Sequence, residues 1–96
     1  MDKKFDIGDF INAKTQRSVL NDLTERVKKR RKEMKFTQKE LAARSGVSYA
    51  SVRRFETCGE ISLSSLMSIA AALDCLEDFD GLFAKKAILN LKDFEG

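Results

Sequence analysis

The residues of this chain most capable of chemistry are its cations, and they are bunched. Between Arg26 and Arg54 stand eleven basic residues (Arg26, Lys28, Lys29, Arg30, Arg31, Lys32, Lys35, Lys39, Arg44, Arg53 and Arg54) against only Glu33 and Glu40. The whole chain carries a formal charge of +3, so the rest of it is acidic. A concentrated basic segment suits a polyanion, because each phosphate it neutralises releases condensed counterions. A solvated, lysine-rich helix face would produce the same run, so charge alone does not decide the matter. Other chemistries find little support. Histidine is absent, and the two cysteines, Cys58 and Cys75, form neither a CxxC pair nor a zinc pattern. No cofactor, metal site or enzymatic activity is expected, and two unpaired thiols suit a reducing, cytoplasmic setting.

The elements that position these cations are helical. Apolar residues recur at steps of three and four, no segment alternates as a half-buried strand does, and proline is absent. The fold class is all-α, and 96 residues fit one small domain. No apolar run is long enough to span a membrane and the N-terminus lacks the apolar core of a signal peptide, so a soluble protein without membrane contact is expected.

Residues 1–8 read as a polar arm. From Asp9 a helical pattern runs through Phe10, Ile11, Val19, Leu20, Leu23, Val27 and Met34. It fits one long helix to about Glu33, or a short helix followed by a second that Thr15 or Ser18 caps. Thr37-Gln38-Lys39-Glu40 has the form of a capping box opening a helix from Gln38 to Ser45. Gly46 breaks that helix in a conformation open to glycine without steric cost, and Ser48 caps the next, from Tyr49 to about Thr57. Ser62 caps a fourth helix, and Leu76, Phe79, Leu82 and Phe83 fit a short fifth. The predicted core is Val27, Leu41, Val47, Val52, Phe55, Leu66, Ile69 and Leu73. Within Gln38–Phe55, a small residue (Ala42) four before the turn glycine and apolar residues one, six and nine after it satisfy what two short crossing helices need.

At these residues the chain resembles the Cro/C1-type, or XRE, helix-turn-helix family. The resemblance runs from about Leu23 to Phe83. It is carried by Arg30-Arg31-Lys32, Phe36 to Ala42, Ser45-Gly46-Val47-Ser48, Val52, Phe55-Glu56 and Ile61-Ser62-Leu63. It implies a compact five-helix, lambda-repressor-like domain over residues 19–83 that reads the major groove of double-stranded DNA with its third helix, about residues 48–57. Residues 1–18 would then be an arm and helical extension, and 84–96 a tail suited to a dimer or partner contact. By the same resemblance Thr37 and Gln38 sit where helix 2 meets phosphate. Ser48 caps the recognition helix and touches phosphate. Tyr49, Ala50 and Arg54 face base edges, with Ser51 and Arg53 flanking them. Arg54 suits bidentate recognition of guanine, and Ala50 or the Tyr49 ring suits a thymine methyl. A phosphate-only role for Arg53 and Arg54 stays open, because half to two-thirds of protein–DNA hydrogen bonds go to the backbone. Arg31 and Glu56 match a family ion pair tying helix 1 to helix 3. Two departures are visible: Lys35 stands where relatives carry a glycine, and Cys58 replaces a common glycine before Gly59.

The resemblance implies a repressor or autoregulator binding a partly palindromic operator as a homodimer, with Ile88, Leu89, Leu91 and Phe94 or the N-terminal helix as surplus apolar surface. An alternative is an antitoxin of a HipA-like toxin–antitoxin pair, binding a protein toxin as well as DNA. A bridging coactivator is a third reading. RNA binding is less favoured, since one tyrosine and scattered phenylalanines form no stacking platform.

Overall fold

Each α-helix begins where a side chain accepts from one of its free amides. The computed structural model describes residues 14–88, and within them α1 spans Gln16–Glu33. Thr15 caps it reciprocally with Ser18: the Thr15 hydroxyl accepts from the Ser18 amide, and the Ser18 hydroxyl accepts from the Thr15 amide, both at 3.0 Å. The choice between Thr15 and Ser18 therefore falls on Thr15. The pattern preceding it, with Phe10 and Ile11, lies outside the described residues. A division at residue 18 would fall inside the first turn of α1.

The next two helices are α2 (Gln38–Ser45) and α3 (Tyr49–Cys58). Thr37 and Glu40 form the capping box of α2, with the Thr37 amide donating to Glu40 Oε1 at 2.7 Å and the Glu40 amide to the Thr37 hydroxyl at 3.0 Å. Gly46 closes α2 at φ +77°, its amide donating to the Ala42 carbonyl at 2.9 Å. Ser48 caps α3 by accepting from the Ser51 amide at 3.0 Å. Ser62 caps α4 (Leu63–Ala72) in the same way through Ser65.

Beyond α4 the chain forms a 3-10 helix, Leu76–Gly81, rather than an α-helix. Its cap position, Cys75, supplies no side-chain hydrogen bond. Asp74, Glu77, Asp78 and Asp80 crowd one sign of charge onto two turns. Phe83, placed by its spacing in a fifth helix, instead sits past the end at φ +60° and fully exposed. Leu89, Leu91 and Phe94 lie outside the described residues.

Leu41, Val52, Phe55, Ile69 and Leu73 are fully buried, and Val47, Leu66 and Ala70 nearly so. Val27, expected in the core, packs on its edge as a partly buried residue. Burying one such aliphatic or aromatic side chain contributes about 1.5–3 kcal/mol, so these residues hold α2, α3 and α4 together, with α2 packed against both of the others. Thr24 is a buried polar residue whose hydroxyl donates to the Asn21 carbonyl at 2.8 Å, leaving its own donor satisfied.

Two non-glycine residues close helices in the left-handed region. Lys35 follows α1 at φ +61° and Asp74 follows α4 at φ +61°. Lys35 is where the family resemblance expects glycine, so the turn keeps its shape and the residue carries strain. At α4 the cost is offset from a distance. Arg30 Nε donates to the Leu73 carbonyl at 3.0 Å and its Nη2 to the Asp74 carbonyl at 3.2 Å, placing a cation on the end of α4 where the helix dipole is negative.

Candidate nucleic-acid interface

Helix α3 shows solvent a face that includes Tyr49, Ala50, Arg53 and Arg54. Tyr49 and Arg53 are four apart, Ala50 and Arg54 are four apart, and all four are exposed. The opposite face carries Val52, Phe55 and Glu56, all buried. A helix packed on one face and displayed on the other presents its outward side chains at a fixed angle, which groove reading requires.

The angle is set by a polar hub. Arg31 reaches from α1 and grips Glu56 with its fork, Nε to Oε2 at 2.7 Å and Nη2 to Oε1 at 2.9 Å. Arg31 Nη1 donates to the Phe36 carbonyl at 2.8 Å in the turn before α2. Gln38, at the start of α2, donates its amide to Glu56 Oε1 at 2.9 Å. One carboxylate on α3 thus joins that helix to α1 and to α2, and Arg31 draws in the turn between them. Both partners are buried, with the Glu56 side chain 3% exposed. Burial alone would push the Glu56 carboxyl up; the hydrogen bonds from Arg31 and Gln38 and the charges of Arg31 and Lys28 outweigh it and hold the group below the ordinary carboxylate range.

The family resemblance puts Gln38 at phosphate. Its side chain is half-buried on Glu56, yet an amide carries two hydrogens, and one is left for an external acceptor. Thr37 is exposed and its hydroxyl is committed to the cap of α2. Ser48 is exposed and its hydroxyl both caps α3 and donates to the Ser51 hydroxyl at 2.8 Å. That leaves the Ser51 hydroxyl hydrogen free to turn outward, although Ser51 itself is half-buried.

Tyr49 stands between two cations, with Lys39 Nζ 5.5 Å and Arg53 Cζ 5.6 Å from its ring centroid. These distances lie within cation–π range, so the ring steadies both side chains and gathers positive charge at the start of α3. Arg44 lies over the Phe36 ring at 4.3 Å on the turn that precedes α2. Arg54 is not free: its Nε and Nη2 both donate to Glu60 Oε1, at 3.0 and 2.7 Å. Sequence reasoning counted Lys39 in the basic run without placing it beside Tyr49, and it missed Glu60. Lys39 had a signal, since it lies in the cap of α2. Glu60 had none, because its approach to Arg54 depends on how Gly59 turns the chain.

The basic run also divides by role. Arg31 is buried in the hub, Arg30 caps α4, and Lys28 pairs with Glu25 at 3.4 Å on α1. The cations grouped on the displayed face of α3 and beside it are Lys39, Arg53 and Arg54. Among the described residues there is no cluster of metal-ligating side chains, and no helix is long and apolar enough to cross a membrane.

A search of curated proteins finds no match. A family model described as helix-turn-helix matches residues 27–79, more than half the chain and the whole of α2, the Gly46 turn and α3. The chain therefore belongs to the Cro/C1-type helix-turn-helix family of DNA-binding transcriptional regulators.

Proposed function

We propose that the protein is a repressor or autoregulator that reads a specific double-stranded operator with Tyr49, Ala50 and Arg54, while Thr37, Gln38, Ser48, Ser51 and Arg53 engage the sugar-phosphate backbone. The observation that carries this is the pairing of an exposed α3 face with a buried anchor: four displayed residues on one side, and Glu56 locked to Arg31 and Gln38 on the other. Rigid presentation is what base-edge hydrogen bonds need, and phosphate contacts fix the register.

A homodimer follows from half-sites one helical turn apart. Val19, Leu63, Leu82 and Ile88 leave 46, 58, 56 and 92% of their surface exposed, which gives a second copy apolar surface away from the reading helix. The division into an arm and extension (1–18), a reading domain (19–83) and a tail (84–96) belongs to this proposal. The test is selection of bound duplexes from a random library. A palindromic consensus with half-sites about one turn apart is expected. Recovery of sequences without a consensus refutes sequence-specific regulation. Arg54→Ala should flatten the preference at one position with roughly a tenfold to hundredfold loss on the operator; an equal loss on random duplex would make Arg54 a phosphate contact.

A second reading, an antitoxin, is favoured by one feature. A largely apolar groove of about 710 Å³ runs between α1, α4 and the 3-10 turn, and none of its lining residues belongs to α2 or α3. A protein toxin could be held there while DNA is bound. Co-purification with a kinase-type toxin encoded next to this gene supports that reading, and the absence of any such neighbour refutes it.

A further inference from the structure

We infer that Glu60 is a specificity-determining positioning residue, which holds Arg54 by one edge so that the other edge faces a guanine. The inference rests on the base-reading role proposed for Arg54. A guanidinium offers two parallel-donor edges, one at Nε and one between its two terminal nitrogens. Glu60 Oε1 takes the first, accepting from Nε at 3.0 Å and from Nη2 at 2.7 Å. The terminal edge, which matches guanine O6 and N7, is left open.

The grip depends on the turn after α3. Gly59 ends the helix at φ +80°, and a Cβ there would come within 2.8 Å of Leu20 Cγ on α1. The position therefore requires glycine, and the turn it forms brings residue 60 back alongside Arg54, six positions earlier. The Cys58 thiol donates to the Arg54 carbonyl at 3.2 Å in the last turn of α3. Both members of the pair are well exposed, 68 and 62% for their side chains, so their attraction adds little to folding. Its effect falls on the side chain of Arg54, which in isolation would sample many rotamers and meet phosphate as readily as base. Glu60 orients the donor edge used by the operator, and its negative charge opposes indiscriminate approach of phosphate to this corner of the interface.

The test uses the full chain, the operator recovered by selection and a random-sequence duplex as the non-specific probe. Glu60→Ala should weaken operator binding several-fold and strengthen random-duplex binding slightly, lowering the specificity ratio by about tenfold, in the range of one bidentate base contact. The selected consensus should lose its guanine at the Arg54 position and nothing else. Glu60→Gln, which keeps an acceptor but removes the charge, should retain the guanine preference while still strengthening random-duplex binding. In an Arg54→Ala background, Glu60→Ala should leave the ratio unchanged. A wild type that selects no sequence overturns the base-reading role and this inference together. A selective wild type whose consensus survives Glu60→Ala, or an equal drop in the Arg54→Ala background, overturns the inference alone.

Discussion

Replacing Arg31 by methionine removes three hydrogen bonds at once: two to Glu56 and one to the Phe36 carbonyl. The apolar stem is kept, so the loss is electrostatic and not a cavity. Glu56 is left with Gln38 as its remaining hydrogen-bond donor, in a site where its side chain is 3% exposed. Breaking a buried pair by removing one member costs about 3–5 kcal/mol, because the other charge stays desolvated. For a domain of this size that corresponds to a fall in Tm of roughly 15–30 °C. Acid should act on the two proteins in opposite directions. In the wild type the Glu56 carboxyl is held below its ordinary value, so it contributes stability above the unfolded carboxylate pKa of about 4.3, and that contribution is lost as pH falls through the depressed folded value. In Arg31→Met only the Gln38 bond and the Lys28 charge oppose burial, so the Glu56 pKa rises, and the variant is penalised at neutral pH and recovers as the carboxyl protonates. The gap in Tm between the two proteins, measured by circular dichroism from pH 7 to pH 3, should therefore close on acidification. Arg31→Met with Glu56→Leu should regain most of the loss, as apolar replacements of buried pairs do. A variant that melts with the wild type at pH 7, or a gap constant across that range, refutes the hub.

Three further outcomes are expected. Gly59→Ala should destabilise by more than Gly46→Ala: both residues adopt positive φ, costing about 1–2 kcal/mol for alanine, but only at Gly59 would the new Cβ strike Leu20, and urea midpoints for the pair will show whether that contact matters. Lys35→Gly should raise stability by about 0.5–1 kcal/mol, the relief of left-handed strain less the added freedom of the unfolded chain; an unchanged or lowered midpoint contradicts the strain. Arg30→Ala should lower Tm by removing the cap on α4 and leave the slope of log K against log salt on DNA unaltered, whereas Arg53→Ala should reduce that slope by about one; a reduced slope for Arg30→Ala would place it on phosphate.

The starts of the helices were legible because each is written in one residue: Thr15, Thr37, Ser48 and Ser62 cap by hydrogen bonds that reach only three positions along the chain. The core was legible for a similar reason, since its spacing repeats the helix period. Contacts distant in sequence left no such mark. Nothing near Arg30 announces that it caps a carbonyl 43 residues away, and nothing near Gln38 announces that Glu56 captures its amide, 18 residues on. The short fifth helix was legible, but not its 3-10 form, because spacing cannot separate a 3-10 turn from an α-turn over six residues. Glu60 was missed because a direction of chain travel, set at Gly59, has no signature in residue type.

The same distinction governs how the charge of the chain should be read. A surplus of cations between Arg26 and Arg54 invites the inference that all of them face phosphate, yet position in three dimensions assigns them to different tasks. Arg30 and Arg31 commit their donors to carbonyls and to Glu56, which ties them to the end of α4 and to α3. Lys39 and Arg53 flank Tyr49, and Arg54 is drawn to Glu60, which places a carboxylate beside the displayed face of α3. A surface built only for affinity would omit that carboxylate. On the proposed base-reading role of Arg54, that carboxylate lets the protein leave random DNA as readily as it finds it, because affinity from phosphates is sequence-blind and selectivity would come from the donor edge that Glu60 leaves open.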